Sequence, residues 1–389
     1  MSVTFQIVET ASRISGFKQL TSQLTLGDLN LRERLLQQCQ RLNIAYSLSS
    51  KESAQLCLHD NCIYSDTLLL QLKKNFSSLS TSEVQVETTW NAAITFKNKQ
   101  NQQTTLFSKN THSVLISQNK LLCVDLNLPE TVYPEKDYQV VATDLFYQKI
   151  ETWNELLIAQ SLVAREFTSQ TVGFWKPKLP NYISHWLFNN PRLAAMTNKI
   201  GKNCRIHPTA ILESCVIGDN VEIGAFCYLR AAVIGSNVTI REKSSIKLSV
   251  IGAGSYILPT DIFNCYLGKN VTLTTHILFH CVIGDSTFIG GGVGFADLNA
   301  SKQSIKIQTE KNDSKSDSNH LFLGSCVAEN CFIGAGLLFH VGRLVPHHTK
   351  LLNFNMIHKD DFSSGKTYVS NQGKITQIPD SFLTAEKKN

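Results

Sequence analysis

From residue 200 onward the apolar positions follow a rhythm that neither a helix nor an alternating strand produces. An aliphatic residue followed by glycine recurs at Ile217-Gly218, Ile234-Gly235, Ile251-Gly252, Leu267-Gly268 and Ile283-Gly284, with gaps of 17, 17, 16 and 16 residues. Between these markers stand Ile223, Leu229, Ile240, Ile246, Ile257, Leu273 and Ile289, in steps of five or six residues, three to a period. A helix repeats every 3.6 residues and a half-buried strand every 2.0. A step of five or six fits a triangular coil of three short strands. Each strand sends one aliphatic side chain inward, to stack on its counterpart one coil away. Glycine after the aliphatic suits a corner where a Cβ would clash.

The position two residues before each aliphatic supports the same picture. It holds Val221, Ala232, Val238, Ser244, Ser249, Ser255, Val271 and Thr287, all small or β-branched, and also Cys204, Cys215, Cys227, Cys265, Cys281 and Cys331. These cysteines read as small side chains packed in a narrow interior. No histidine or carboxylate accompanies them at metal-ligand spacing. The period breaks once, at residues 297–320, which are polar and charged. It resumes at Leu323-Gly324 and Ile333-Gly334 and ends near residue 351. A long polar loop leaving such a coil is a functional candidate. The length divided by the ~17-residue period predicts about eight coils.

The first half has other periods. Residues 3–8 predict a strand. Residues 29–42 predict an amphipathic helix with apolar positions at 31, 35, 36, 39 and 42, and further helices are expected at 66–74 and 152–166. Strand-like runs occupy 112–117, 121–125 and 138–142. The mixture predicts an α/β domain over 1–165. Residues 166–199 form a connector containing Trp175 and Trp186, which reads as a docking linker rather than a membrane-surface patch. An all-β parallel helix spans 200–358 with its polar arm at 297–320, and an irregular tail spans 359–389.

Composition narrows the function classes. With 389 residues, 42% apolar and 17% charged, the chain can build real cores. A net charge of +6 is compatible with a phosphorylated substrate and too diffuse for nucleic acid. No stretch has the length and apolarity of a bilayer span, and no basic segment followed by an apolar run opens the chain. The 11 cysteines include no CxxC pair. An odd number without a signal peptide points to reduced thiols and a cytoplasmic location.

The order of parts resembles the bifunctional sugar-1-phosphate nucleotidyltransferase/acetyltransferase family, of the N-acetylglucosamine-1-phosphate uridylyltransferase type. The stretch CVIGDSTFIGGGVGFADLN (281–299), then the polar loop, then FLGSCVAENCFIGAGLLFHVGRLVP (322–346), is similar to that family's glycine-rich loop, arm and closing Gly-Arg. The resemblance implies a substrate site at Gly290, Gly291, Gly292 and Asn299, with Arg343 at the closing pair and His340 beside it. It also implies a homotrimer, a sugar phosphate or nucleotide sugar as partner, and acyl-coenzyme A or a similar thioester as donor. In the first half, 26–45 and 56–72 resemble the family's entry to its second helix and its strand with a metal-binding aspartate. This maps Arg13 and Asp60 onto the nucleotidyltransferase site, with magnesium implied only if that site is active. The segment Val8-Glu9-Thr10-Ala11-Ser12-Arg13-Ile14 lacks the family's phosphate-cradling glycines, and Glu9 would repel phosphate. The domain is also shorter than a working one. It reads as a shortened nucleotidyltransferase-like domain without nucleotidyl transfer.

The catalytic histidine of the resemblance falls near Pro259 or Thr274, because an extra coil intervenes. His276 and His280 lie close by, and either could be the general base for an acceptor attacking a thioester. With inward steps at 273, 278 and 283, His276 falls in the small inward slot; with a step at 279 it points elsewhere. His280 precedes the slot of Cys281 at a corner, ahead of the Gly290–Gly292 loop whose amides could hold an oxyanion. Leu321 and Phe322 stand where the family carries a lysine for the acyl carrier. Three functions follow: an acyltransferase on an activated sugar, a non-catalytic trimeric assembly or regulatory protein, and an active sugar-1-phosphate nucleotidyltransferase.

Overall fold

The computed structural model describes residues 4–48, 56–76, 147–173, 195–298, 304–309, 312–318, 320, 322–352, 362–371 and 374–379, with strand pieces at 85–86, 95–96, 104–105 and 138–139. The strands expected at 112–117 and 121–125, and connector residues 174–194, lie outside the described residues. The chain forms two compact units. One comprises 1–13, 20–24 and 29–151; the other comprises 14–19, 25–28 and 152–389.

In the first unit, strand Thr4–Val8 lies between Ala45–Ser47 and Leu56–His59, and both neighbours run parallel to it. Helix α1 (Leu31–Arg41) starts in a capping box: Asn30 Oδ1 accepts from Glu33 N at 2.8 Å, and Asn30 N donates to Glu33 Oε2 at 2.9 Å. Its apolar stripe buries Leu35 and Cys39 against Phe5, Ile7 and Leu58, together with Leu68, Leu69 and Leu72 of α2 (Asp66–Phe76). Gln38 Nε2 donates to Asp66 Oδ1 at 2.7 Å and Arg41 forks onto the same carboxylate, so the end of α1 is fastened to the start of α2.

The second unit is built on a left-handed parallel β-helix of about 9 turns. One face has eight parallel strands, from Lys199–Ile200 to Leu344–Val345. The second runs from Arg205–Ile206 to Lys350–Leu352 and then takes two more strands. The third begins with five strands, Ile211–Glu213 to Ile277–Phe279, and continues as the pair Gly294–Phe295 and Leu338–Phe339. Register is strict: Ile217 pairs Ile234, Ile234 pairs Ile251, and Ile251 pairs Leu267. The aliphatics at the five-to-six step are all buried, and five of the six slot cysteines are too, with Cys204 partly so. Burial pushes the thiols of Cys215, Cys227, Cys265 and Cys331 up, that of Cys215 to about 11, so these four are protonated packing groups.

The glycines after the aliphatics stand where a Cβ would clash, as expected, and the clash is with the neighbouring coil. They do not take a left-handed turn. A Cβ on Gly235 would lie 2.6 Å from Ala253 N, and one on Gly284 2.4 Å from Glu329 N. They are glycines because adjacent coils approach too closely for a side chain. The left-handed residues come two positions later. Asn203, Asn220, Asn237, Asn270 and Asn330 line one edge at φ between +55° and +59°, a region asparagine tolerates. Their amides form a ladder, with Asn203 Nδ2 3.3 Å from Asn220 Oδ1 and Asn220 Nδ2 3.2 Å from Asn237 Oδ1.

The first face is covered, so Val250, Tyr266, Val282 and Cys326 are buried although they point outward. Part of the cover is helix α3 (Trp153–Gly173), longer than the expected 152–166; its Gln160 donates to Leu248 O at 3.1 Å and Asn264 Oδ1 at 2.8 Å. Residues 14–19 and 25–28 supply the rest, laid along the asparagine edge. Asp28 accepts from Ser236 N at 2.6 Å, Glu329 accepts from Lys18 N and Gln19 N, and His347 N donates to Gly16 O at 2.8 Å. Within the tail expected to be irregular, Thr367–Asn371 adds a parallel strand beside Lys350–Leu352, and Lys374–Ile378 folds back antiparallel on it. No helix among the described residues is long and apolar enough to cross a membrane.

Candidate functional site

His280 occupies the corner between the third and first faces, at φ +52°, in column with Ser214, Ala231, Leu248 and Asn264. Its backbone is fixed on both sides: its N–H donates to Phe263 O at 3.0 Å, and its carbonyl accepts from Gly324 N at 3.0 Å. The imidazole Nδ1 lies 3.0 Å from Asp297 Oδ2, with the two side chains 13% and 25% exposed. Phe322 stacks on the ring at 5.8 Å, and Phe263 meets it edge-on at 5.4 Å. Among the described residues Nε2 has no hydrogen-bond partner. A carboxylate at Nδ1 fixes the tautomer with the proton there and leaves the Nε2 lone pair outward.

The polar arm begins and ends at this corner. The chain leaves at Asp297 and returns at Phe322, with Leu323 N donating to Asp297 O at 2.8 Å. Between them Lys306–Thr309 and Asn312–Asp317 form an antiparallel hairpin. Despite its polar composition, the arm buries Ile305 and Ile307. Gly342, at φ +67°, leaves room for the Ile305 side chain, which a Cβ there would approach to 2.7 Å. His320, on the returning limb, is held neutral: burial, and then the neighbouring His280, lower its pKa to about 4.

Other expected site residues are divided between two edges. Gly342 N donates to Gly324 O at 2.7 Å, which puts Arg343 on the His280 edge, two coils beyond the histidine. The Arg343 Nε lies 3.3 Å from Val341 O. His340 is exposed and follows Phe339, which pairs with Phe295, so it sits one coil beyond Ala296. Asn299 lies outside the described residues.

Gly290, Gly291 and Gly292 are on the next edge, between the second and third faces, with His276. The strand Ile277–Phe279 separates that edge from His280 by roughly 10 Å at ~3.3 Å per residue. Their amides therefore do not face His280 within one chain, which corrects the expected arrangement. Gly290 N is already used, donating to Ile333 O at 2.8 Å. The inward step does fall at Leu278, yet His276 is exposed, with Nδ1 3.3 Å from Pro259 O. Thr275 fills the interior instead, donating to Val293 O.

Asp297, Phe263 and His320 were missed in the sequence, and Phe322 was noted only as standing where the family carries a lysine. For Asp297 the signal was present, since it stands one 17-residue period after His280.

In the first unit, a pocket of about 390 Å³ is lined by Glu9, Thr10, Ser22, Asn30, Arg32 and Asp60 among others. Asp60 is buried, and its Oδ1 accepts from Thr10 N at 2.8 Å and Thr10 Oγ1 at 2.6 Å. Glu9 is paired with Arg32. Arg13 is exposed and does not line the pocket. These residues do not fit magnesium: the Asp60 carboxylate clamps the loop through Thr10, and Glu9 is ion-paired with Arg32.

Fold and repeat together define a hexapeptide-repeat β-helix protein. Residues 189–283 match the family model described as the GMPPB C-terminal domain, and the resemblance to sugar-1-phosphate nucleotidyltransferases is therefore strongest in this half. Among curated proteins none matches the chain. Solved structures similar to it include a hexapeptide transferase family protein from Anaplasma phagocytophilum (18% identity, 49% of this chain and 89% of that one, TM-score 0.21). Another is UDP-N-acetylglucosamine acyltransferase from Campylobacter jejuni (16%, 48% and 78%, TM-score 0.24).

Proposed function

We propose that the β-helix unit transfers an acyl group from a thioester such as acyl-coenzyme A to a hydroxyl or amine of a phosphorylated or nucleotide-activated sugar, with His280 as general base. The observation that supports this most is the 3.0 Å approach of Asp297 to Nδ1 of an imidazole whose other nitrogen has no partner among the described residues. Nε2 takes the proton of the acceptor as its oxygen or nitrogen attacks the thioester carbonyl. Asp297 stabilises the imidazolium that forms. Collapse of the tetrahedral intermediate breaks the C–S bond, and the proton passes to the departing thiolate.

The protein works as a homotrimer in this reading. A second copy can bring its exposed Gly291–Gly292 edge to the His280 edge of the first and supply the oxyanion donors that one chain holds too far away. In this reading Arg343, two coils along, meets a phosphate of the acceptor. The first unit does not transfer nucleotides. One observation favours a non-catalytic assembly instead: Phe322 already covers a face of His280.

The test is release of free thiol from acetyl-coenzyme A in the presence of a panel of sugar phosphates and nucleotide sugars. The expected result is acceptor-dependent release that His280→Ala lowers by at least about 10²-fold with the oligomer intact. No release with any acceptor favours the assembly reading. Release unaffected by His280→Ala ends the assignment of the base.

A further inference from the structure

We propose that the asparagine edge carries a hard divalent cation, bound by oxygen ligands between Asp285 and Glu329. These residues occupy the same corner position on successive coils: a Cβ on Gly284 would lie 2.4 Å from Glu329 N, and Asn330 N donates to Asp285 O at 2.8 Å. Earlier coils use this position to cap the backbone of the coil before, as Asp285 does for Lys269 N at 2.9 Å. Glu329 departs from that pattern. It is 4% exposed, its Oε1 accepts from the amides of Lys18 and Gln19, and its Oε2 is buried with no partner.

Two buried hydroxyls stand at the same place. Tyr266 and Thr25 are 0% and 1% exposed, and their hydroxyls face each other at a spacing longer than an ordinary hydrogen bond. Tyr266 lies beside Thr25 and in the field of both carboxylates. Burial raises the pKa of Asp285; its backbone bond from Lys269, the charge of Lys269 and a side-chain hydrogen bond from Gln19 oppose that, and the charge of Glu329 adds to it. Buried polar atoms are almost always satisfied, and two desolvated like charges side by side are costly without a counter-charge.

Two carboxylates, two hydroxyls and no nitrogen or sulfur donor suit calcium, magnesium or manganese rather than zinc, with water completing the shell. The cation would also fasten residues 14–19 and 25–28, because Thr25 and the amides held by Glu329 belong to them. The site is independent of the acyl-transfer reading.

The full-length chain, stripped with EDTA, is titrated separately with calcium, magnesium and manganese chloride at constant ionic strength, by calorimetry and by melting. The expected result is one saturable site for at least one ion, with Tm raised by about 5–10 °C at a hundred times Kd. Glu329→Gln and Asp285→Asn should abolish that rise. In EDTA each should melt no lower than the unsubstituted protein, since an uncompensated charge has been removed. Absence of saturable binding at millimolar ion overturns the proposal, as does binding that survives both substitutions. If metal is ignored and the metal-free Tm rises as pH falls from 7 to 5, a proton shared by the two carboxyls takes the cation's place.

Discussion

His280 Nδ1 and Asp297 Oδ2 stand 3.0 Å apart because one turn of the β-helix, 17 residues, returns the chain to the same edge. The pair is thus held by backbone on two adjacent coils, and little entropy is spent in orienting the imidazole. Asp297→Asn keeps a partner at Nδ1 but loses the charge that stabilises the imidazolium. It should lower kcat by about 10²-fold or more, with a much smaller change in KM for the acceptor. Steady-state kinetics of both variables will check this; an equal loss in KM alone would show that Asp297 binds substrate and does not orient the base.

His276 should be dispensable to a base mechanism within one chain. It is exposed, and its Nδ1 is 3.3 Å from a backbone carbonyl. His276→Ala should change Tm by under about 1 °C, since surface substitutions cost little. Its kcat should stay within about threefold while His280→Ala loses at least about 10²-fold. The reverse order would move the base to the glycine edge.

Close coil spacing predicts two very different costs for glycine replacement. Gly284→Ala places a methyl 2.4 Å from Glu329 N, against rigid backbone, and should cost about 3 kcal/mol. Gly336→Ala has open space, and only its φ of +75° opposes the change, at about 1 kcal/mol. Denaturant unfolding of the two variants side by side measures the difference.

In the first unit, Asp60 is predicted to be structural. No pyrophosphate should be released from any common nucleotide and sugar-1-phosphate. Asp60→Ala should destabilise the unit by about 2 kcal/mol, because the Thr10 amide and hydroxyl lose their acceptor. Steady pyrophosphate release that disappears in Asp60→Ala would reverse the assignment.

His320 makes stability depend on acid. Its pKa is lowered to about 4 from 6.5 in the folded chain, so its contribution is complete above pH ~6.5 and is lost as pH falls towards 4. The full shift corresponds to about 3 kcal/mol. Melting between pH 7 and 4.5 should show a fall that is shallower in His320→Gln.

The β-helix was legible because its period is unlike any other, and because each inward aliphatic is decided by its own coil. The corner histidines were harder. In the shorter 16-residue coil, Thr275 takes the interior place that the step count assigns to His276, and no count of aliphatics reveals which of two adjacent residues turns in. The arm misled for a related reason: two isoleucines suffice to seat it on Gly342, too few to show as a pattern. Glu329 was invisible because its partners, Lys18 and Gln19, lie more than 300 residues away in the chain.

The closing strands of the second face bear on how these molecules behave in bulk. A stack of coils ends in an unpaired strand, and any second stack could dock there in register and polymerise into a fibre. Here Thr367–Asn371 continues the parallel order once, and Lys374–Ile378 then runs the opposite way. A coil arriving in the order of the stack would have to pair antiparallel with this last strand, out of keeping with the parallel coil geometry. The hairpin therefore acts as a chain terminator, and truncation after Leu352 should make the protein form filaments.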